Sequence, residues 1–137
     1  MKEPVWIDEH DALVLHDRLL ALDGGAAGLR DDTLLKSALA RPRQHFAYAK
    51  SPDIVSMAAV YTAAIVRNHP FVDGNKRTAF AALYTFLAIN GLRLTADAER
   101  TCAFVLALYE AGQFSFEKLV PWLREQLREN VKGESVD

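Results

Sequence analysis

The chain has 137 residues, half of them hydrophobic and a quarter charged, which is the balance of a soluble globular protein and not of a disordered or fibrous one. Its 16 basic and 18 acidic residues leave a net charge of −2, too little positive charge for a general nucleic-acid binder. A lone cysteine, Cys102, excludes an internal disulfide and a cysteine-built zinc site. The start MKEPVWIDEHD lacks the apolar core of a signal peptide. The apolar stretches near 57–66 and 78–89 fall short of the roughly 20 residues that a membrane span needs. The expectation is therefore one cytoplasmic domain over 1–137, with no membrane or direct nucleic-acid contact and a frayed tail from about residue 131.

In chain order the elements read as helices. Asp8 caps a first helix whose opening turn carries Glu9 and Asp11, acids that suit the helix dipole. Leu13, Leu15, His16, Leu19, Leu20 and Leu22 follow, and Gly24-Gly25 stop it. A second helix runs from about Asp32 to Ala40, ahead of Pro42. A third starts with Ser51 as cap and Pro52 in its first position, carries Ile54, Ala58, Tyr61 and Ile65, and stops at Pro70. A fourth runs from Asn75 to Asn90 and is apolar over more than half its circumference, the pattern of a central buried helix. A fifth opens at Thr95 or Asp97 and closes at Gly112. A sixth opens at Ser115 and reaches Leu127, with a kink or restart at Pro121. Val5-Trp6-Ile7 and Leu92-Arg93-Leu94 are the strand-like pieces, able to pair as a very short ribbon. The predicted fold class is all-α, a compact bundle of about six helices.

Between the third and fourth helices lies His69-Pro70-Phe71-Val72-Asp73-Gly74-Asn75-Lys76-Arg77, a tight loop feeding a helix N-terminus. Backbone N–H groups and the helix dipole make such a place receptive to anions. Gly74 removes a side chain where an anion would approach closest. Lys76 and Arg77 oppose the dipole, at a cost of a few tenths to about 1 kcal/mol each. Asp73 is a hard oxygen ligand suited to phosphate-bound magnesium. His69 can take a proton from an attacking hydroxyl. Together these groups suggest phosphoryl or nucleotidyl transfer. Taken singly, each has an ordinary reading: a histidine as helix cap, Asp-Gly-Asn as a turn, Lys-Arg as a solvated face. Arg67 either reaches a phosphate or is a plain helix-terminal arginine. Arg41, Arg43 and His45 read as a solvated loop before the third helix, and Cys102 as a buried small hydrophobe. His10 and His16 read as surface and packing residues, and Trp6 and Trp122 as packing residues near the chain ends.

The stretch HPFVDGNKR resembles the signature of the Fic superfamily, HPFx[D/E]GNxR, and the flanks look like its Doc branch, the "death on curing" toxins. Trp6 with the Leu15-His16 helix, Gly24-Gly25, Gly28-Leu29-Arg30-Asp31 and Leu39-Ala40-Arg41-Pro42 carry the likeness over nearly the whole chain. The resemblance implies a helical bundle in which His69 is the catalytic base and Asp73 the Mg2+ ligand. It implies that Gly74, Asn75, Lys76 and Arg77 form the phosphate-binding loop and helix start, and that Phe71 is a buried anchor. A Doc-like arginine stands at the place of Arg67. Adenylylating Fic enzymes carry glycine where this chain has Lys76 and arginine where it has Phe80, so ATP should not sit here as it does in them. Doc-type toxins share both departures. The resemblance then implies a protein kinase that moves the γ-phosphate of ATP onto a threonine of elongation factor Tu and halts translation. A Fic-type adenylyltransferase and a catalytically silent binding member are the alternatives. The inhibitory pattern [S/T]xxxE[G/N] of many Fic proteins is missing: Glu129-Asn130 supplies its ending, but Glu125 stands where serine or threonine is required. Control is therefore expected from a separate antitoxin whose disordered segment folds as a helix into an apolar groove beside the loop, and the resemblance to Doc toxins implies one of the Phd type.

Overall fold

In a computed structural model, residues 2–129 are described. The expected tail from residue 131 lies outside them. Six helices follow in order: α1 (Glu9–Asp23), α2 (Asp32–Tyr48), α3 (Ile54–Asn68), α4 (Asn75–Ile89), α5 (Ala98–Glu110) and α6 (Phe116–Glu125). Two short strands, β1 (Leu92–Leu94) and β2 (Leu127–Glu129), complete the described chain. The all-α class stands, and no described helix is long and apolar enough to cross a membrane.

Most helix starts follow from side-chain chemistry. Asp8 accepts from the Asp11 N–H while Asp11 returns the bond to the Asp8 N–H, a reciprocal capping box. Asp31, Asp97 and Ser115 cap α2, α5 and α6 more simply, each side chain accepting one bond from the N–H three residues on. At α3 the start lies later than Ser51-Pro52 suggests: Asp53 is the cap, bonded to the Ser56 N–H at 2.8 Å, and Ser56 bonds back. A carboxylate paired with a reciprocating hydroxyl outcompetes the serine two residues earlier.

Pro42 does not end α2, which continues to Tyr48. Leu35, Ala38, Leu39 and Pro42 form one buried face against α3, and that packing outweighs the missing backbone bond. Arg41, Arg43 and His45 therefore stand on a helix and not in a loop. Arg43 lies 5.1 Å over the Trp6 ring, and His45 bonds the Ser56 hydroxyl at 3.1 Å. Pro121 likewise sits inside α6, and Leu127 falls beyond its end, in β2.

The central helix is α3, not α4. Every residue from Val55 to Ile65 is buried, because Ala58, Ala59, Ala63 and Ala64 let α2, α4 and α6 approach from different sides. In α4, one face is buried, formed by Asn75, Thr78, Ala79, Ala82, Leu83, Phe86 and Leu87. Phe104 of α5 and Trp122 of α6 stack with ring centroids 4.4 Å apart. Cys102 is half-buried.

The ribbon exists with a different partner. Strand β1 pairs antiparallel with β2, Leu94 opposite Leu127. Val5 instead exchanges two bonds with the Asn90 side chain, at 2.8 and 3.0 Å. Ile7 exchanges two with the Tyr61 hydroxyl. Burial pushes the Tyr61 hydroxyl up to about 12, so it stays protonated and can donate as well as accept. Side chains thus satisfy the N-terminal segment that a ladder was expected to pair.

Candidate active site

The loop between α3 and α4 is closed by its own residues. Asn75 accepts from the Phe71 N–H and donates to the Phe71 carbonyl, both at 2.9 Å. Both polar ends of this buried side chain are therefore spent inside the loop. Phe71 is fully buried and stacks on His16, ring centroids 3.9 Å apart. Its backbone also bridges to Leu29.

His69 ends α3 in the left-handed region, at φ 53° and ψ 53°. It is the single non-glycine residue with positive φ among those described. Such a conformation costs of order 1 kcal/mol and persists where neighbours impose it. Here Arg30 imposes it. Its guanidinium donates from Nε to the His69 carbonyl at 2.7 Å and from Nη2 to the Asn68 carbonyl at 2.9 Å. The Arg30 and Asp31 N–H groups both donate to the Pro70 carbonyl. The His69 ring is left exposed.

Asp73 is held by two backbone donors, the Gly74 N–H at 2.8 Å and the Ala26 N–H at 3.2 Å. Those bonds, Ala26 first, hold its carboxyl below the usual carboxylate range. The Asp73 carbonyl, in turn, bonds His16 Nε2 at 2.7 Å. Gly74 occupies the left-handed region at φ 79°, and no side chain caps the start of α4. Arg77 leans back onto the loop after α1, donating to the Gly24 carbonyl at 3.2 Å with the Asp23 carboxylate 3.9 Å away. Lys76 extends the other way, its ammonium 4.0 Å above the Tyr109 ring.

These groups share one open cleft of about 430 Å³, lined by His69, Val72, Asp73, Gly74, Asn75, Lys76, Arg77 and Tyr109. Arg67 is not in it. That exposed arginine borders two neighbouring clefts, one with Arg41, His45 and Tyr48, the other with Val66, Tyr109 and Phe114. Phe80 packs away from the cleft, among Val66, Val105, Leu106 and Phe114. Among the described residues, no group of three or more His, Cys, Asp or Glu is arranged to hold a metal by itself. Asp73 alone suits an ion whose other ligands are phosphate oxygens and water, the habit of magnesium. Arg30, His16, Ala26 and Tyr109 also shape the site; the sequence offers Arg30 and His16 only as part of the family likeness, and His16 as a packing residue, and assigns none of the four a place here.

Two relatives resemble the chain. The protein named Toxin Doc from Mycolicibacterium smegmatis is 47% identical over 75 residues, which is 54% of this chain and 58% of that protein. Protein kinase doc from Escherichia phage P1 is 32% identical over 88 residues, 64% of this chain and 70% of that protein. The chain thus spans under two thirds of the mycobacterial relative's length. Residues 6–87, more than half the chain, match the Fic/DOC family, a stretch that holds α1 to α3, the whole loop and most of α4. The chain belongs to the Fic/DOC family.

Proposed function

We propose that the chain, as a single cytoplasmic domain, is a Doc-type toxin and protein kinase. It would move the γ-phosphate of ATP onto a hydroxyl of a translation factor, elongation factor Tu by resemblance, and so halt translation. The observation that carries the kinase reading over nucleotidyl transfer is the fate of positions 76 and 80. Phe80 is packed against α5 and offers nothing to a distal phosphate, while the Lys76 stem and ammonium cross the cleft towards Tyr109. The name of the phage relative points the same way.

In this reading His69 accepts the proton of the acceptor hydroxyl as its oxygen bonds to the γ-phosphorus. The bond from that phosphorus to the β–γ bridging oxygen breaks, and ADP leaves. The open N–H groups at the start of α4, with Lys76 and Arg77, oppose the negative charge of the phosphate oxygens. Asp73 is the residue that would hold a magnesium ion here, which would supply further charge neutralisation. Arg67, outside the cleft, is better placed to contact a bound protein. The antitoxin would be of the Phd type, its helix lying over Ala63, Val66, Tyr109 and Phe114 beside the loop.

The test is the intact mass of the purified elongation factor after incubation with the chain, ATP and Mg2+. A phosphate gained is expected. A nucleotide gained would make the enzyme an adenylyltransferase, and no change would leave a binding role. Expression with and without the neighbouring small gene tests control: growth arrest by the chain alone, relieved by the second gene, is expected.

A further inference from the structure

Two glycines between α1 and α2 place equal demands on the backbone but leave room for different things. Gly25 has φ +123° and Gly28 has φ +119°, so a side chain at either position is strained. A Cβ on Gly28 would meet only Val72 Cγ2, at an ordinary 3.5 Å. A Cβ on Gly25 would lie 2.7 Å from Asp73 Oδ2, 3.0 Å from Arg77 Nη2 and 3.0 Å from Leu20 Cδ2. The first two atoms belong to the charged groups of the catalytic loop. The same short segment also bonds both of them. The Ala26 N–H donates to Asp73 Oδ2, and the Gly24 carbonyl accepts from Arg77. Asp23 adds a carboxylate near Arg77.

We propose that residues 23–26 form a positioning clamp for phosphoryl transfer, with Gly25 as the residue whose missing side chain lets Asp73 and Arg77 take their places. This rests on reading the cleft as the nucleotide site. A ligand for a phosphate-bound cation and a cation for the phosphate must be held in fixed relation before substrate arrives, because displacement by about 1 Å can cost up to 10²-fold in rate. Asp73 and Arg77 lie in the α4 loop and first turn, yet their charged ends are fixed from the end of α1. The clamp therefore joins α1 to the chemistry, although α1 places no group of its own in the cleft.

The experiment compares Gly25→Ala with Gly28→Ala, each alone and combined with Asp73→Ala, by thermal unfolding of the full chain. Both glycine variants should lose stability through strain, and Gly25→Ala should lower Tm further, because Asp73 Oδ2 and Arg77 must move off their bonds to Ala26 and Gly24 to make room. That excess should shrink when Asp73 is truncated, whereas the Gly28→Ala loss should not change. Equal losses for the two glycines, in both backgrounds, would overturn the clamp. If Gly25→Ala does not fold alone, folding restored by Asp73→Ala supports the proposal and continued failure refutes it. In the transfer assay Gly25→Ala should lower kcat/KM at least about tenfold. A wild-type chain that transfers nothing would count against the kinase reading, while the unfolding comparison still decides the clamp.

Discussion

The two helices that meet at the loop from His69 to Gly74 are finished in opposite ways. At the C-terminus of α3, Arg30 spends its guanidinium on the last two carbonyls, the natural partner for the negative end of a helix dipole. At the N-terminus of α4 no side chain caps the backbone, and Lys76 and Arg77 put positive charge where the dipole disfavours it. One end is completed by the protein's own side chains and the other is left without a side-chain cap. The contrast shows how a stable fold can hold an unfavourable site: the cost at α4 is local, and the loop that carries it is locked by Asn75, Phe71 and His16.

The largest effect expected is on the group standing between those ends. His69→Ala should lower transfer by about 10²–10⁴-fold, the usual worth of a general base, in a protein that still folds because the ring is exposed. Full activity in a folded variant would remove His69 from the mechanism. Next comes the ligand side. Asp73→Asn should weaken magnesium-dependent ATP binding, checked by calorimetry with and without the metal. Lys76→Gly should not by itself produce an efficient adenylyltransferase, since Phe80 remains; mass analysis of the product would reveal the contrary.

Breaking the finished end should cost less. Arg30→Ala removes two charge-assisted bonds on the surface and should destabilise the chain by about 1 kcal/mol, a Tm loss of a few degrees. Transfer should fall more than that loss explains, because His69 would no longer be held at its left-handed backbone angle. Arg30→Lys should restore part of the stability but less of the activity, since an ammonium cannot reproduce the two-pronged grip. A variant whose activity tracks stability alone would show that Arg30 is only a cap.

Much of this was legible in the sequence, and the failures share a cause. Caps such as Asp8 and Asp97 depend on residues three positions away, so local reading finds them. The signature from His69 to Arg77 is likewise contiguous. Arg30 meets its partner 39 residues along and His16 meets Asp73 57 residues along, separations at which no spacing rule operates. Pro42 misled because its local cost is visible and the packing of Leu35, Ala38 and Leu39 against α3 is not. The choice of central helix failed similarly. The alanines of α3 look unremarkable by hydrophobicity, but their small size is what admits neighbours on several sides.

The smallest effect concerns the start of α3, which is finished where the start of α4 is open. Asp53 caps it by accepting from the Ser56 N–H, and Arg124 donates to its other oxygen at 2.6 Å. Burial pushes the Asp53 carboxyl upward, but the Ser56 bonds and the Arg124 guanidinium outweigh it, leaving the group below its ordinary value. A carboxyl lowered in the folded state binds its proton more readily when unfolded. Its contribution is thus complete above the unfolded value, about 3.9, and is lost as pH falls through the lower folded value. Asp53→Asn keeps an oxygen to cap the helix but cannot lose a charge. Urea unfolding between pH 6 and pH 3 should therefore show wild type losing more stability on acidification than the variant, by under about 1 kcal/mol for so exposed a pair. Asp8, Asp32 and Asp73 are also held low and cost both proteins the same stability on acidification, so only the difference between the two curves reports on Asp53. Parallel curves would mean that the α3 cap works through its hydrogen bond alone, and that the charge at a finished helix start adds nothing measurable.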